Sequence, residues 1–177
     1  MRRYNQSARV YDAQYSEEQD AKFRTVVQNL RLPHKSRILD VGCGTGLIFS
    51  HLVEKAELIV GVDFSRGLLE EARKKARLHQ HVLLVTADAD NLPFVNSVFD
   101  VVLAITVLQN TPNPDVALDE IKRVSEQTAP IVVTGLKKRF AKKDFVEMLK
   151  GADLRIGTLE IDDKNREYVC VCRKTRR

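Results

Sequence analysis

Three of the chain's eight glycines stand at 42, 44 and 46, directly after the apolar run Arg37-Ile-Leu-Asp-Val41. A short apolar run bounded by glycine reads as a buried strand. Glycine recurring at every second position cannot extend that strand. It belongs where a ligand presses on the backbone or where φ must be positive. Leu47, Ile48 and Leu52 then share one helical face, which predicts a helix from about 45 to 55. A dinucleotide fingerprint counted from Gly42 needs glycines at its third and sixth places, where this chain has Gly44 and Leu47. The pattern is instead acidic-x-Gly-x-Gly-x-Gly, with Asp40 in the strand end. The loop therefore serves another ligand.

The alternation continues along the chain. Ser16-Glu17-Glu18-Gln19 has the form of a capping box, and Phe23, Val26, Val27 and Leu30 predict a helix over about 17–31, ended by Pro33. Strands are expected at 58–62, 82–85, 99–107 and 131–136. Ser65 should cap a helix carrying Leu68, Leu69, Ala72 and Ala76, with residues 73–77 on its wet side. Ala117, Ile121 and Val124 mark another helix, and Phe145, Val146 and Leu149 mark a last one closed by Gly151. Residues 154–161 and 167–173 flank Asp162-Asp-Lys-Asn165 as a hairpin. The expected fold is α/β: a doubly wound, mostly parallel seven-stranded sheet, Rossmann-like, with a C-terminal antiparallel hairpin at one edge. Length and the absence of a linker suggest one domain over 1–177. In such sheets ligands bind beyond the carboxyl ends of the strands, where strand order reverses.

Two further acids follow that rule. Asp63 ends the second strand and Asp88 the third, in Thr86-Ala-Asp-Ala-Asp-Asn-Leu-Pro-Phe94. A carboxylate at Asp63 can accept both hydroxyl protons of a ribose diol, and one at Asp88 can accept from an adenine amine. No stretch is long and apolar enough to span a bilayer, and no secretory signal is expected from the opening residues. Three cysteines form no framework of pairs, so a reducing, cytoplasmic setting is expected. Cys43 lies in the glycine loop. Cys170 and Cys172 share one face of the last strand. His34, His51, His79 and His81 are scattered, and no metal site is expected.

With these motifs in view, the chain resembles a class I S-adenosylmethionine-dependent methyltransferase, closest to the type-11 methyltransferase family. The resemblance rests on Tyr11-Asp-Ala-Gln-Tyr15, residues 38–46, Gly61-Val-Asp-Phe-Ser65, residues 87–94 and Phe99-Asp-Val-Val102. It implies S-adenosylmethionine as cofactor, with its methionine end on the loop of Gly42, Cys43, Gly44 and Gly46 below Asp40. The ribose would rest on Asp63 and the adenine beside Asp88 and Ala89, with Phe64 against the ring. Tyr11 and Tyr15 would belong to a lid within the first 31 residues, and Thr106 would complete the cofactor contacts.

The acceptor would then lie against the loop after the fourth strand, where Gln109 and Asn110 are the polar candidates for touching it. A turn-capping role for both is the alternative. Planar-amine methylases of this fold carry Asn/Asp-Pro-Pro-aromatic at that strand end, and this chain has Ile105-Thr-Val-Leu108 there. Residues 137–177 hold 13 basic and 7 acidic side chains, while the first 136 hold 16 and 17. Lys137, Lys138 and Arg139 follow a parallel strand and should sit on the catalytic rim. A basic rim suits RNA or a translation-associated protein as the N or O nucleophile. A small-molecule acceptor and a non-catalytic cofactor-binding regulatory subunit are the alternatives. The third strand, Val82–Val85, should be an unguarded sheet edge. By resemblance it could pair with a small zinc-binding activator protein, and a homodimer through the same strand is the rival.

Overall fold

The computed structural model describes residues 23, 24, 26, 27, 30, 32, 35–160 and 166–175. Seven strands, β1 (Ser36–Val41), β2 (Ala56–Asp63), β3 (Val82–Thr86), β4 (Val101–Ala104), β5 (Ile131–Leu136), β6 (Leu154–Glu160) and β7 (Glu167–Lys174), form one sheet in the order β3-β2-β1-β4-β5-β7-β6. The first five are parallel, and β7 runs antiparallel between β5 and β6. The chain moves outward from β1 to β3, then returns to start again at β4. Strand order therefore reverses between β1 and β4, and a crevice opens above their carboxyl ends.

Alternating side chains divide the core between the two faces of the sheet. Leu39, Val41, Val60, Val62, Val102 and Val133 pack under α3 (Pro114–Val124) and α4 (Lys142–Gly151), which bury Ala117, Leu118, Ile121, Phe145 and Leu149. Ile38, Ile59, Val101, Leu103 and Val132 face α1 (Phe49–Leu52), α2 (Arg66–Ala76) and the helical residues Phe23 and Val26. Strands with apolar side chains on both faces need this double cover. The expected doubly wound sheet with its antiparallel hairpin is the fold observed.

Four local expectations are corrected. The helix expected over about 45–55 is reduced to Phe49–Leu52. Gly42, Gly44 and Gly46 all have positive φ, and the loop closes through turns, Gly46 N–H to Cys43 O and Phe49 N–H to Gly46 O. Helical bonding begins only when Val53 N–H reaches Phe49 O. The fourth strand ends at Ala104 and not at 107, because Thr106 adopts φ 63° and turns the chain. Gly151 does not close the last helix but lies within it, and Asp153 takes the left-handed conformation instead. Lys75 is not on the wet side of α2: it turns inward and donates to Thr45 O at 2.9 Å, tying that helix to the glycine loop. Ser65 does cap α2, accepting from Leu68 N–H.

Among the described residues no helix is long and apolar enough to cross a membrane. Most of the expected helix over 17–31, His34 and the turn at 162–165 lie outside the described residues.

Candidate active site

The floor of the crevice is set by one close approach. Gly42 has φ +69°, and a Cβ there would come within 2.6 Å of Val107 Cγ2. The glycine loop after β1 and the loop after β4 thus meet across the point where strand order reverses. Gly44 also has positive φ but faces open space. Gly42→Ala should therefore destabilise the protein by about 2–4 kcal/mol, from backbone strain plus overpacking, and Gly44→Ala by only about 1 kcal/mol. Urea unfolding of the two variants checks this, and equal losses would remove Val107 from the account.

Asp63 holds the loop from the other side. Its Oδ2 accepts from Gly44 N–H at 2.9 Å and its Oδ1 from Ser65 N–H at 2.8 Å. Burial pushes its carboxyl up from the usual aspartate range, and these two amides oppose that shift. Asp40, on β1 between Gly61 and Leu103, is 2% exposed, and its Oδ2 has no hydrogen-bond partner. Burial, with the charge of Asp63 adding to it, pushes the Asp40 carboxyl up to about 8. The same burial, reinforced by Asp40 and Asp63, drives the Cys43 thiol well up, so it stays neutral and is no nucleophile.

A cavity of about 530 Å³ fills the crevice. At one end it is lined by Asp40, Gly42, Cys43, Gly44, Asp63, Phe64, Asp88 and Ala89, and at the other by Ile105, Thr106, Val107, Gln109, Asn110, Leu136 and Glu167. Eleven of the sequence-derived candidates thus line one cavity. Gly46 is not among them, since it packs behind the loop against the Phe49 ring. Tyr11 and Tyr15 lie outside the described residues. Asp88 is exposed, and its Oδ1 accepts from Asp90 N–H at 3.2 Å.

The far end contains what sequence reasoning missed. Glu167 opens β7 and pairs in register with Leu136, which brings its side chain to the cavity. It is 7% exposed and accepts from Thr106 Oγ1 at 3.0 Å and Gln109 Nε2 at 3.4 Å. Thr106 is a β-branched residue at positive φ, a strained geometry costing about 1–3 kcal/mol. Buried Thr134 on β5 holds it there by accepting Thr106 N–H at 2.7 Å. Asn110 donates to Thr106 O at 2.7 Å, so the turn-capping alternative describes one of its contacts.

A second unforeseen element steadies the loop after Asp88. Arg123 donates to Leu92 O and Phe94 O and pairs with Glu120, which itself accepts Leu92 N–H. Cys170 and Cys172 are buried together, 3.4 Å apart on β7, away from the crevice. Among the described residues no group of three His, Cys, Asp or Glu side chains could hold a metal ion.

Residues 39–133, more than half of the chain, match the family model of the methyltransferase domain. A demethylmenaquinone methyltransferase of Clavibacter sepedonicus is 38% identical over 97 residues, which cover 55% of this chain and 40% of that protein. The chain spans about half the length of the curated relatives it matches. Among solved structures, a chain of the complex between the Haloferax volcanii Trm112 methyltransferase activator and a methyltransferase has a TM-score of 0.88 at 14% identity, with 98% of both chains covered. The (4+2)-cyclase SpnF has a TM-score of 0.81 at 22% identity, covering 88% of this chain and 80% of that one. These two likenesses show the fold alone. The family match, together with an acidic-x-Gly-x-Gly-x-Gly loop at the point where strand order reverses, means that the chain belongs to the class I S-adenosylmethionine-dependent methyltransferases of the type-11 family.

Proposed function

We propose that this chain transfers a methyl group from S-adenosylmethionine to a small acceptor bound beside Thr106, Gln109 and Glu167. The observation that carries the reading is one continuous cavity joining the glycine loop and its carboxylates to a polar cluster after β4. Asp40 fits the cationic methionine end, because its buried Oδ2 lacks a donor. Asp63 fits the ribose: each of its oxygens already accepts one backbone N–H and keeps a second lone pair. Asp88 and Ala89 would meet the adenine, and Phe64, partly exposed at the mouth, would cover the ring. The bound cofactor supplies an activated methyl group, so the chain's task is alignment and exclusion of water.

The small acceptor is favoured by the apolar walls of Ile105, Val107, Pro112 and Leu136, and the curated relatives are named for demethylmenaquinone. A macromolecular acceptor, RNA or a translation-associated protein, is the second reading, favoured by exposed Lys138 and Arg139, which follow the cavity-lining Leu136 in the chain. Its partner could be an activator protein seated on β3, the free edge of the sheet, where Leu83 is 52% exposed. The H. volcanii structural neighbour comes from an activator complex.

The test is incubation with methyl-labelled S-adenosylmethionine and fractionated cell extract. Label is expected in the organic-soluble small-molecule fraction. Label in RNA or protein, lost when Lys137, Lys138 and Arg139 are replaced or when Leu83→Lys blocks the edge, would instead support the second reading. Cofactor binding with no label in any fraction would leave only a regulatory subunit.

A further inference from the structure

The geometry points to Asp90 and Thr111 as a pair of positioning residues through which cofactor occupancy orders the acceptor side of the cavity. This rests on the methyl-transfer reading above and adds how the two halves of the site are joined.

The pair connects loops that the sheet keeps apart. In the order β3-β2-β1-β4 two strands lie between β3 and β4, so their carboxyl ends stand three strand spacings, about 14 Å, apart. The segments that leave those ends nevertheless meet, because Thr111 Oγ1 donates to Asp90 Oδ1 at 2.8 Å. Both segments line the same cavity, with Asp88 and Ala89 on one and Gln109, Asn110 and Thr111 on the other. The hydrogen bond therefore spans the crevice, from the end that suits adenine to the end that suits the acceptor.

Each end of the span is anchored in its own way. Asp90 shares a tight turn with Asp88: its N–H donates to Asp88 Oδ1, and Asn91 N–H donates to Asp88 O. Just beyond, Leu92 is gripped by Glu120 and Arg123 of α3. A ligand resting on Asp88 and Ala89 thus fixes Asp90 with them. On the other side the Thr111 hydroxyl has one proton, which goes to Asp90, while its oxygen accepts Asn113 N–H at 3.4 Å. One hydroxyl both fastens the acceptor segment and shapes its turn into α3. Gln109 and Asn110 directly precede it, so they are held or released with it. A ligand that favours the joined arrangement is in turn favoured by it, by the same factor.

The test is hydrogen exchange at Asn110 N–H, which donates to Val107 O at 2.8 Å, with and without saturating S-adenosylhomocysteine. In the unsubstituted protein the ligand should slow that exchange about tenfold, within what one hydrogen bond to a charged acceptor can transmit. In Asp90→Ala, which cuts the span on the side away from the reporter, the slowing should fall to about twofold or less. Asp90→Asn keeps an oxygen for Thr111 and should restore it, which general damage to the loop would not allow. Reciprocity supplies a second measurement that needs neither variant. Thr111→Val should bind S-adenosylhomocysteine about tenfold more weakly, and Thr111→Ser within about twofold of the unsubstituted protein. Slowing that persists in Asp90→Ala, or is absent from the unsubstituted protein, would overturn the inference. So would a loss that Asp90→Asn fails to repair, or unchanged affinity in Thr111→Val. Failure of the unsubstituted protein to bind S-adenosylhomocysteine at all would instead sink the methyl-transfer reading.

Discussion

Asp63→Ala should weaken S-adenosylhomocysteine binding by roughly thirtyfold to several hundredfold, the largest loss expected for a single residue of this site. Two charge-assisted hydrogen bonds to the ribose are worth roughly 2–4 kcal/mol together. The side chain also holds the site in shape, through Gly44 N–H in the glycine loop and Ser65 N–H at the entry to α2. Removing it strands both amides, so the loop must reorganise before any ligand enters. A loss of folding stability of about 1–3 kcal/mol should accompany the loss of binding. Asp88→Ala is the internal control. Asp88 is exposed and its side chain accepts a turn-type hydrogen bond from Asp90 N–H, so its loss should cost about 1–2 kcal/mol of affinity and little stability. Calorimetric titration of both variants decides the matter. Unaltered affinity in Asp63→Ala would mean that the ligand does not lie along β2.

The difference between Asp63 and Glu167 explains how much of this site was legible in the chain. Asp63 ends a strand that lies next to β1, at the carboxyl edge where the crevice opens. Glycine spacing is equally local: Gly42, Gly44 and Gly46 all take the positive φ that their residue type permits. Glu167 instead reaches the cavity only because β7 inserts antiparallel between β5 and β6, in a register that sets Glu167 beside Leu136. A hairpin can be read from alternation, but neither its neighbour in the sheet nor its register can. Thr106 was reached as a position and not as a strained one. Nothing in Ile105-Thr-Val-Leu108 signals a β-branched residue at positive φ, because partners distant in sequence, Thr134 28 residues on and Glu167 61 residues on, hold it there.

Element ends failed for a related reason. Apolar periodicity continued past the true ends of β4 and across the glycine loop, since those residues are buried in turns and not in regular structure. Arg123 is not singled out by the apolar pattern of Ala117, Ile121 and Val124. Its four hydrogen-bonding partners, Glu120, Asn96, Leu92 O and Phe94 O, instead gather the loop that carries Asp88 and Ala89 onto α3. A long side chain of that kind can serve solvent or a loop, and sequence pattern does not distinguish the two.

Asp40 should release a proton when the cofactor binds. Its carboxyl is raised to about 8 by burial and by Asp63, so at pH 7 it is mostly protonated in the ligand-free protein. An unfolded aspartate loses its proton near 4. Between about pH 4 and pH 8 the unfolded chain is therefore ionised at this position while the folded one holds its proton. The contribution of Asp40 to stability is fullest below pH 4, declines as pH rises through that window, and levels off above 8. The slope from one such group is at most about 1.4 kcal/mol per pH unit. Asp63, raised in the same direction, adds to it. Asp40→Asn should flatten the profile, and urea unfolding from pH 5 to 9 measures the difference. A cation placed against the unpartnered Oδ2 reverses the balance, because it favours the ionised carboxylate. Binding of S-adenosylhomocysteine, which keeps the α-ammonium group, should then expel up to about one proton at pH 7. Titrations in phosphate and Tris, whose ionisation enthalpies differ widely, read that number directly. Asp40→Asn has no proton to give, so its binding enthalpy should not depend on the buffer. Equal proton release by both proteins would assign the titration to another group and remove Asp40 from the cation's site.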